Sequence, residues 1–426
     1  MGKINFGTTN FNDDIVWDSK KVLNGHILLV GSSGSGKTYN IRKLSREIIK
    51  NPNAEVHVLD VHGDIDLGDD ITSTIKFSET SNYGLNPLEV SEDYDFGGVR
   101  KKIRSFISMI NNTGRKLGSK QEPVLSNLVE DLYATKGFYR NIPDSWDIRK
   151  EVRKNPASKK EYPTINDLRV FAEYKLDQML IGSDGKATQA LEKLNKEYQK
   201  LQKTNKSKDV DEAKLDESKR ACIDLYQEFI NSIETGSELK DILKYDKAET
   251  IRSVYERIKT IEDSGIFKNK KPNFDRSKPI KRYDIKTLIK EEQKMFVDVL
   301  LEMIFVKAKE NGQVDEPQTF IVIDEAHIFI NDEDSHIINV IAKEARKFGI
   351  ALILASQSFT HFSEDFLQST ATKIVLGIDE MYHDGSAKKL RIEPKMFSYI
   401  VPHQKILVQV KNKGEKAKPL TLVENK

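Results

Sequence analysis

Short hydrophobic runs in the N-terminal part of the chain alternate with a glycine-rich loop and a helical pattern. His26–Val30 is an apolar run that is followed at once by glycines. Apolar residues in Tyr39–Lys50 recur at helical spacing, and Val56–Asp60 is a second apolar run that ends in an acid. Strand, loop, helix and strand in this order predict a βαβ unit, which requires a parallel sheet covered by helices.

The C-terminal part of the chain has the same alternation. Met295–Lys309 and Ile337–Lys347 have helical spacing. Four apolar runs predict strands, namely Thr319–Asp324, Ile350–Ala355, Lys373–Leu376 and Lys405–Val410. Continuous apolar runs of this kind are typical of strands that are buried on both faces of a sheet. We therefore predict that the N-terminal and C-terminal parts form one sheet.

The middle of the chain differs from both ends. It is strongly charged and mostly helical in pattern, and apolar residues between positions 191 and 201 recur three or four apart, as in a coiled coil. We predict three parts, with 1–95 and 286–426 as the two halves of an α/β core and 96–285 as a helical insertion. Two interpretations of the insertion stay open, a solvated helical surface and an arm that binds a partner or DNA.

Composition excludes several classes of protein. Lys+Arg number 68 and Asp+Glu 66, a formal net charge of +2, so a uniformly basic nucleic-acid-binding surface is excluded and any nucleic-acid contact must be local. Cys222 is the single cysteine, which excludes a disulfide framework within the chain and a cysteine-based zinc site. No apolar run is long enough to span a membrane, and the start of the chain lacks a signal-peptide pattern. We expect a cytoplasmic protein without a membrane anchor.

One motif between a strand and a helix indicates a specific chemistry. It matches G-x-x-x-x-G-K-[ST] in full and consists of Gly31, Ser32, Ser33, Gly34, Ser35, Gly36, Lys37 and Thr38. Glycines let such a loop wrap so that backbone N–H groups converge on phosphates, and the following helix N-terminus favours anions. Lys37 is predicted to reach the β- and γ-phosphates and Thr38 to offer its hydroxyl to Mg²⁺. The sequence therefore predicts a site for ATP and Mg²⁺.

A second motif, of two acids, ends the strand predicted at Thr319–Asp324. Asp324 and Glu325 follow an apolar run, which is the Walker B arrangement. Asp324 is predicted to hold Mg²⁺ through water, and Glu325 to act on the attacking water, which implies hydrolysis as well as binding. Asp324 lies 287 residues after Lys37. This large separation favours an insertion between the two halves of the site.

Further polar residues are candidates for the same site. Gln357 follows the apolar run Ile350–Ala355 and is the candidate sensor of the γ-phosphate or of the attacking water. Arg346 is the candidate for an arginine that completes the site of a neighbouring subunit, with Arg391 as an alternative; a cation at a helix C-terminus is the other interpretation of Arg346. Asp60 and Asp64 are candidates for groups that support the metal ligands.

Together these motifs resemble the HerA/FtsK superfamily of ring-shaped DNA-pumping ATPases, and its HerA-like members more closely. The resemblance is carried by residues 31–38, 60–64, 86–88, 253–258, 264–267, 321–327, 344–349 and 352–358. It implies a P-loop NTPase fold of the RecA/FtsK type with a mostly parallel sheet, a homo-hexameric ring with an ATP site at each subunit interface, and double-stranded DNA in the channel. Such proteins usually carry a β-barrel domain before the ATPase core. Only 25 residues precede the first predicted strand, so we expect that barrel to be missing here.

Three functions stay open on this basis. The first is an ATP-driven motor that translocates double-stranded DNA and resembles a helicase. The second is an ATP-regulated hexameric scaffold for a nuclease or another effector in a prokaryotic antiviral defence system. The third is a conjugation or secretion ATPase at a membrane pore. DNA-stimulated ATP hydrolysis that weakens with salt is expected for the motor, whereas tight co-purification with a partner is expected for the scaffold.

Overall fold

The computed structural model describes residues 3–424 except 157, 159, 182–184, 206–211, 233–242 and 332. Its strands are β1 (Lys3–Thr8), β2 (Asp14–Asp18), β3 (Ile27–Gly31), β4 (Glu55–Asp60), β5 (Thr72–Lys76), β6 (Ile280–Asp284), β7 (Thr319–Ile323), β8 (Ile350–Ser356), β9 (Thr372–Gly377), β10 (Lys405–Val410) and β11 (Thr421–Glu424). Within these residues they form one sheet of eleven strands, in the order β2-β1-β11-β10-β9-β3-β8-β7-β4-β6-β5.

Most neighbouring strands of this sheet run parallel. The parallel part extends from β9 through β3, β8, β7, β4 and β6 to β5. Beyond β9, the strands β10, β11, β1 and β2 extend the sheet in antiparallel pairs. The mostly parallel α/β sheet predicted from the sequence is therefore confirmed. Because parallel strands end along one edge, the residues that follow β3, β7 and β8 lie on the same side of the sheet.

Helices flank the sheet and fill the middle of the chain. Their bounds are α1 (Lys37–Ile48), α2 (Val99–Thr113), α3 (Gln121–Thr135), α4 (Ile148–Lys154), α5 (Ile165–Ile181), α6 (Gly185–Asn205), α7 (Glu212–Ser232), α8 (Ala248–Asp263), α9 (Lys290–Glu310), α10 (Ile337–Glu344), α11 (Glu364–Ser369) and α12 (His383–Leu390). The helices predicted in the two halves of the core correspond to α1, α9 and α10, and α10 continues as a 3-10 turn. None of the described helices combines the length and apolar character that crossing a membrane requires.

Both faces of the sheet are covered, which explains the continuous apolar runs. Every residue of β3 and of β8 is buried. Successive side chains of a strand point to opposite faces, so Leu28 and Val30 belong to one hydrophobic core and Ile27 and Leu29 to another. α1 contributes to the second core, whereas α2, α3, α8 and α9 contribute to the first. The rigid sheet between these layers positions the loops at its carboxyl edge.

The segment 96–285 contains helices α2 to α8 and also one strand of the sheet. α2 packs on α9 and α3, while α6 and α7 pack on each other. β6 pairs with β4 and β5, so this mostly helical segment also contributes one strand to the sheet. Lys281 and Arg282 interrupt the apolar pattern of β6, and they form ion pairs with Glu55 and Asp60 of β4. The division of the chain at 95 and 285 stays a prediction.

Candidate nucleotide-binding site

The phosphate loop connects β3 directly to α1. Gly36 has φ 95°, in the left-handed region that side-chain-bearing residues rarely adopt, and a Cβ there would lie 2.9 Å from the His403 ring. A Cβ on Gly31 would lie 2.2 Å from Ser35 Oγ. Both positions therefore require glycine if the loop is to wrap this closely. The fold places the loop at the carboxyl end of a central strand, as its sequence predicted.

Hydrogen bonds fix the loop and hold its lysine over it. Ser35 Oγ donates to the Ser32 carbonyl at 2.8 Å, and the Ser32 N–H donates to the Gly377 carbonyl of β9 at 2.7 Å. Lys37 is buried, and its Nζ donates to the carbonyl oxygens of Gly31 at 2.9 Å and Ser32 at 3.3 Å. α1 begins without a side-chain cap and without an acid in its first turn. Its N-terminal N–H groups and dipole are thus available to an anion.

The acid pair faces this lysine. β8 lies between β3 and β7 in the sheet, so the residues after β7 approach the loop across one intervening strand. Lys37 Nζ lies 3.8 Å from Glu325 Oε1. Asp324 and Glu325 are both buried, with 4% and 9% of their surface exposed. The fold therefore joins two motifs that are far apart in the sequence into one site.

Glu325 is held by several groups at once. Its φ is 48°, so the backbone is left-handed directly after β7. Gln357 Nε2 donates to Glu325 Oε2 at 3.3 Å, and His327 Nδ1 lies 3.2 Å from the same oxygen. His327 above all, and then Lys37, lowers the pKa of the Glu325 carboxyl below its usual value although burial opposes this. Glu325 is therefore ionised at neutral pH.

Asp324 has the opposite electrostatic environment. Burial raises the pKa of its carboxyl from 3.8 to about 6, and repulsion from Glu325 and Asp64 adds to this. The Glu325 N–H donates to Asp324 Oδ1 at 2.9 Å and opposes the rise. A buried carboxylate in such a position is stabilised by a bound cation.

The oxygen donors of the site fit a magnesium ion that is bound together with a nucleotide. Asp324 and the Thr38 hydroxyl offer the hard oxygen ligands that Mg²⁺ prefers. Across the described residues, no three His, Cys, Asp or Glu side chains cluster closely enough to hold a metal by themselves. Mg²⁺ commonly takes only one or two protein ligands and completes its shell with phosphate oxygens and water. The donor set is thus suited to a metal that arrives with phosphates.

Comparison with known proteins identifies the family. A family model described as "Helicase HerA, central domain" matches residues 4–304. The chain belongs to the HerA family. The DNA double-strand break repair helicase HerA of Pyrococcus furiosus is 26% identical over 201 residues, which are 37% of this chain and 36% of that protein. The probable helicase MJECL08 of Methanocaldococcus jannaschii is 37% identical over 100 residues, 22% of this chain and 18% of that protein. The matched regions thus span about a third or less of these relatives.

Solved structures confirm the P-loop ATPase fold of this HerA-family chain. VirB4 of Thermoanaerobacter pseudethanolicus superposes with a TM-score of 0.66 at 12% identity, covering 99% of this chain and 96% of VirB4. The plasmid coupling protein TrwB in complex with ADP and Mg²⁺ superposes with a TM-score of 0.52 at 13% identity, covering 96% of this chain and 90% of TrwB. The superfamily and the fold class predicted from the sequence are both confirmed.

The other acids and arginines predicted for the site of this HerA-family chain do not take part in the contact between Lys37 and Glu325. Asp60 is fully buried and accepts the N–H groups of Gly63 at 2.7 Å and Ile65 at 3.0 Å together with Arg282 Nε at 2.8 Å, so it holds its own loop. Asp64 is exposed and repels Asp324. Arg346 and Arg391 make no hydrogen bond or ion pair with Lys37, Asp324 or Glu325 in the described part of the chain.

The two arginines differ in which edge of the sheet they occupy. Arg346 is exposed in the 3-10 turn before β8, at the edge opposite the phosphate loop. The turn ends at Gly349 with φ 69°, which matches the interpretation of Arg346 as a cation at a helix end. Arg391 is exposed after α12 and follows β9, whose carboxyl end lies beside the loop. Neither completes the site of its own chain, and a role in a neighbouring subunit stays a prediction.

Sequence reasoning missed two groups at this site. Gly377 binds the loop through its carbonyl, and His403 lies against Gly36. His403 belongs to a turn in which the Val401 N–H and the Lys405 N–H donate to each other's carbonyls, and its own φ is 64°. Gly377 ends β9, the strand beside β3, and His403 precedes β10, the next strand beyond β9. No local motif marks them, because their proximity depends on the order of strands in the sheet.

Proposed function

We propose that this HerA-family chain hydrolyses ATP within a homo-hexameric ring and uses the energy to translocate double-stranded DNA. The observation that carries the proposal is the 3.8 Å approach of Lys37 Nζ to Glu325 Oε1, with Asp324 beside it. A phosphate-binding lysine opposite a buried acid pair is the arrangement that metal-dependent phosphoryl transfer to water requires.

Nucleotide binding is assigned to the phosphate loop. The backbone N–H groups of Ser32–Thr38 and the start of α1 surround the phosphates, and Lys37 exchanges its carbonyl contacts for the β- and γ-phosphate oxygens. Thr38 Oγ and Asp324 would hold Mg²⁺, whose charge offsets that of the phosphates when it is bound.

Hydrolysis is assigned to Glu325 and Gln357. Glu325 is ionised at neutral pH because its pKa is lowered, so its carboxylate is ready to accept a proton from the attacking water. Gln357 donates to Glu325 Oε2 and can also orient the water or contact the γ-phosphate. An arginine of the neighbouring subunit, Arg346 or Arg391, would stabilise the charge that develops on the γ-phosphoryl group.

Membership of the HerA family supports DNA as the substrate, since the Pyrococcus furiosus relative is named as a DNA double-strand break repair helicase. The near-neutral net charge of +2 is compatible with this, because a ring brings the same local contacts of several subunits to one channel. The test is the ATPase rate with and without duplex DNA on protein whose mass is measured by light scattering. We expect stimulation by DNA that falls steeply as salt increases. A hexamer whose rate does not respond to DNA at low salt would refute translocation.

A conjugation or secretion ATPase is the second candidate, because the coupling protein TrwB, which is named as conjugative, superposes over 99% of this chain with a TM-score of 0.52. This function predicts that the protein fractionates with membranes through other subunits and that its ATPase rate rises with those subunits and not with free DNA. The effector scaffold predicts a co-purifying nuclease and no response to DNA. Membrane fractionation and analysis of co-purifying proteins from the host, together with the same ATPase measurements, separate these outcomes.

A further inference from the structure

A pair of stacked histidines lies behind the acid pair. His327 belongs to the 3-10 turn Ala326–Ile328, and its Nδ1 lies 3.2 Å from Glu325 Oε2. This nitrogen is buried, yet it has no well-directed hydrogen bond in the described part of the chain. The ion-pair distance alone therefore does not fix the ring, and another contact has to hold it in position against Glu325.

His361 provides that contact. It ends the 3-10 turn Phe359–His361 after β8, and its ring stacks on His327 with centroids 4.9 Å apart and planes 30° apart. His361 is itself fixed on two further sides. Its Nδ1 lies 3.0 Å from Oγ of Ser356, a fully buried residue at the end of β8, and the Tyr382 ring packs edge-on at 6.3 Å. The stacked ring is thus anchored to the rigid sheet.

Two sets of contacts therefore connect the end of β8 to Glu325 Oε2. Gln357 reaches Glu325 Oε2 directly, at 3.3 Å. Ser356, the residue before it, contacts His361. His361 stacks on His327, whose Nδ1 lies 3.2 Å from the same oxygen. We propose that His361 is a positioning residue for ATP hydrolysis, which holds His327 by stacking so that His327 and Gln357 together fix the Glu325 carboxylate. The inference rests on the proposed hydrolytic function.

The charges around the pair favour this arrangement. Burial lowers the pKa of His361 below its usual value, and the neighbouring His327 and Lys389 lower it further, although Glu325 opposes this. His361 is therefore neutral at neutral pH and stacks without repelling His327. Lys389 Nζ donates to the Thr360 carbonyl at 2.9 Å and to the Phe362 carbonyl, so its charge is held beside the turn. His327 is left as the ring that faces Glu325, with its Nδ1 3.2 Å from Glu325 Oε2.

Steady-state ATPase kinetics and ATP binding of the full chain test the role of His361. We expect His361→Ala to lower kcat by between about tenfold and about 10²-fold, because small misplacements of a reacting group have effects of this size. The Kd for ATP should not change, because the hydrogen-bond and ring contacts of His361 among the described residues are with Ser356, His327 and Tyr382 and not with the phosphate loop. His361→Phe keeps a ring for stacking and should retain most of the rate, whereas His361→Asn keeps a nitrogen for Ser356 without a ring and should lose as much as His361→Ala.

A matched control and a double variant complete the test. His383→Ala removes a histidine that contacts the Ile378 carbonyl and the Phe397 ring, away from Glu325, and should leave kcat unchanged. His327→Ala combined with His361→Ala should be no slower than His327→Ala alone, because both act through one carboxylate. Wild-type kcat in His361→Ala, a multiplicative loss in the double variant, or a faster His361→Asn than His361→Phe would overturn the inference. Normal hydrolysis by Glu325→Gln would instead refute the proposed function.

Discussion

Replacing Asp324 by asparagine should stabilise the chain when nucleotide and magnesium are absent, while it abolishes magnesium-dependent ATP binding. Burial raises the pKa of this carboxyl from 3.8 to about 6, so its ionised form is disfavoured in the folded protein. The difference corresponds to about 3 kcal/mol, at about 1.4 kcal/mol for each pH unit. Asparagine keeps the oxygen that accepts the Glu325 N–H at 2.9 Å and removes only the charge.

The sign of the pH dependence follows from the direction of the shift. The pKa of Asp324 is higher in the folded chain than in the unfolded chain, so ionisation of Asp324 destabilises the folded wild type. This destabilisation is absent below pH 3.8 and fully present above about pH 6. The free energy of unfolding of Asp324→Asn should therefore equal that of the wild type near pH 4. It should exceed the wild type by up to about 3 kcal/mol near pH 8.

Denaturant unfolding in the presence of EDTA measures this difference at both pH values. Asp60→Asn is the matched control, because Asp60 is also fully buried but accepts Arg282 Nε and two backbone N–H groups. Removal of its charge should destabilise the chain, since it leaves Arg282 unpaired. A loss of stability in Asp324→Asn as large as that in Asp60→Asn would show that Asp324 has a structural partner, and the metal-site reasoning would fail.

Other substitutions test the remaining parts of the site. Lys37→Ala should abolish ATP binding in a fluorescence titration, because it removes the cation beside the loop carbonyls. Glu325→Gln should bind ATP normally and lose about 10²-fold or more in kcat, about 3 kcal/mol of barrier. Gly36→Ala should weaken ATP binding in the same titration, since a Cβ would meet the His403 ring at 2.9 Å. Mixing Glu325→Gln subunits with subunits that carry Arg346→Ala or Arg391→Ala should restore ATPase activity if the replaced arginine acts on a neighbouring subunit, because the Glu325→Gln subunit still supplies that arginine. If neither mixture recovers activity, neither arginine acts in this way.

The strands nearest the site were predictable because burial on both faces leaves a clear sequence pattern. β3, β4, β7, β8, β9 and β10 are each found within two residues of a predicted apolar run. β1 and β2, at one edge of the sheet, mix buried with partly exposed positions, and β6 carries Lys281 and Arg282, which form ion pairs with β4. Ile4 and Phe6 are buried, for example, while Lys3 is exposed, so no continuous run marks β1.

The site itself was predictable only where residues are adjacent in the sequence. The loop lysine and the acid pair belong to local motifs, and the fold brings them to 3.8 Å as expected. The importance of His361 depends on a stacking contact with His327, and that contact exists only once β7 and β8 lie side by side. The ion pair of Asp60 with Arg282 was not predictable for a related reason, since Arg282 lies on a strand that the sequence did not reveal.

The order of the strands explains why this site tolerates a long segment between its two halves. β3 and β7 are each paired with β8, so about 10 Å separates their axes, as neighbouring strands lie about 4.8 Å apart. A gap of this width admits phosphates and a metal between the loop and the acids, and Lys37 and Glu325 reach into it from opposite sides. Gln357 follows β8, the strand in the middle of the gap, and contacts Glu325. The contact between Lys37 and Glu325 is set by the ends of neighbouring strands of one sheet, so helices α2 to α8 can extend the connection without moving it.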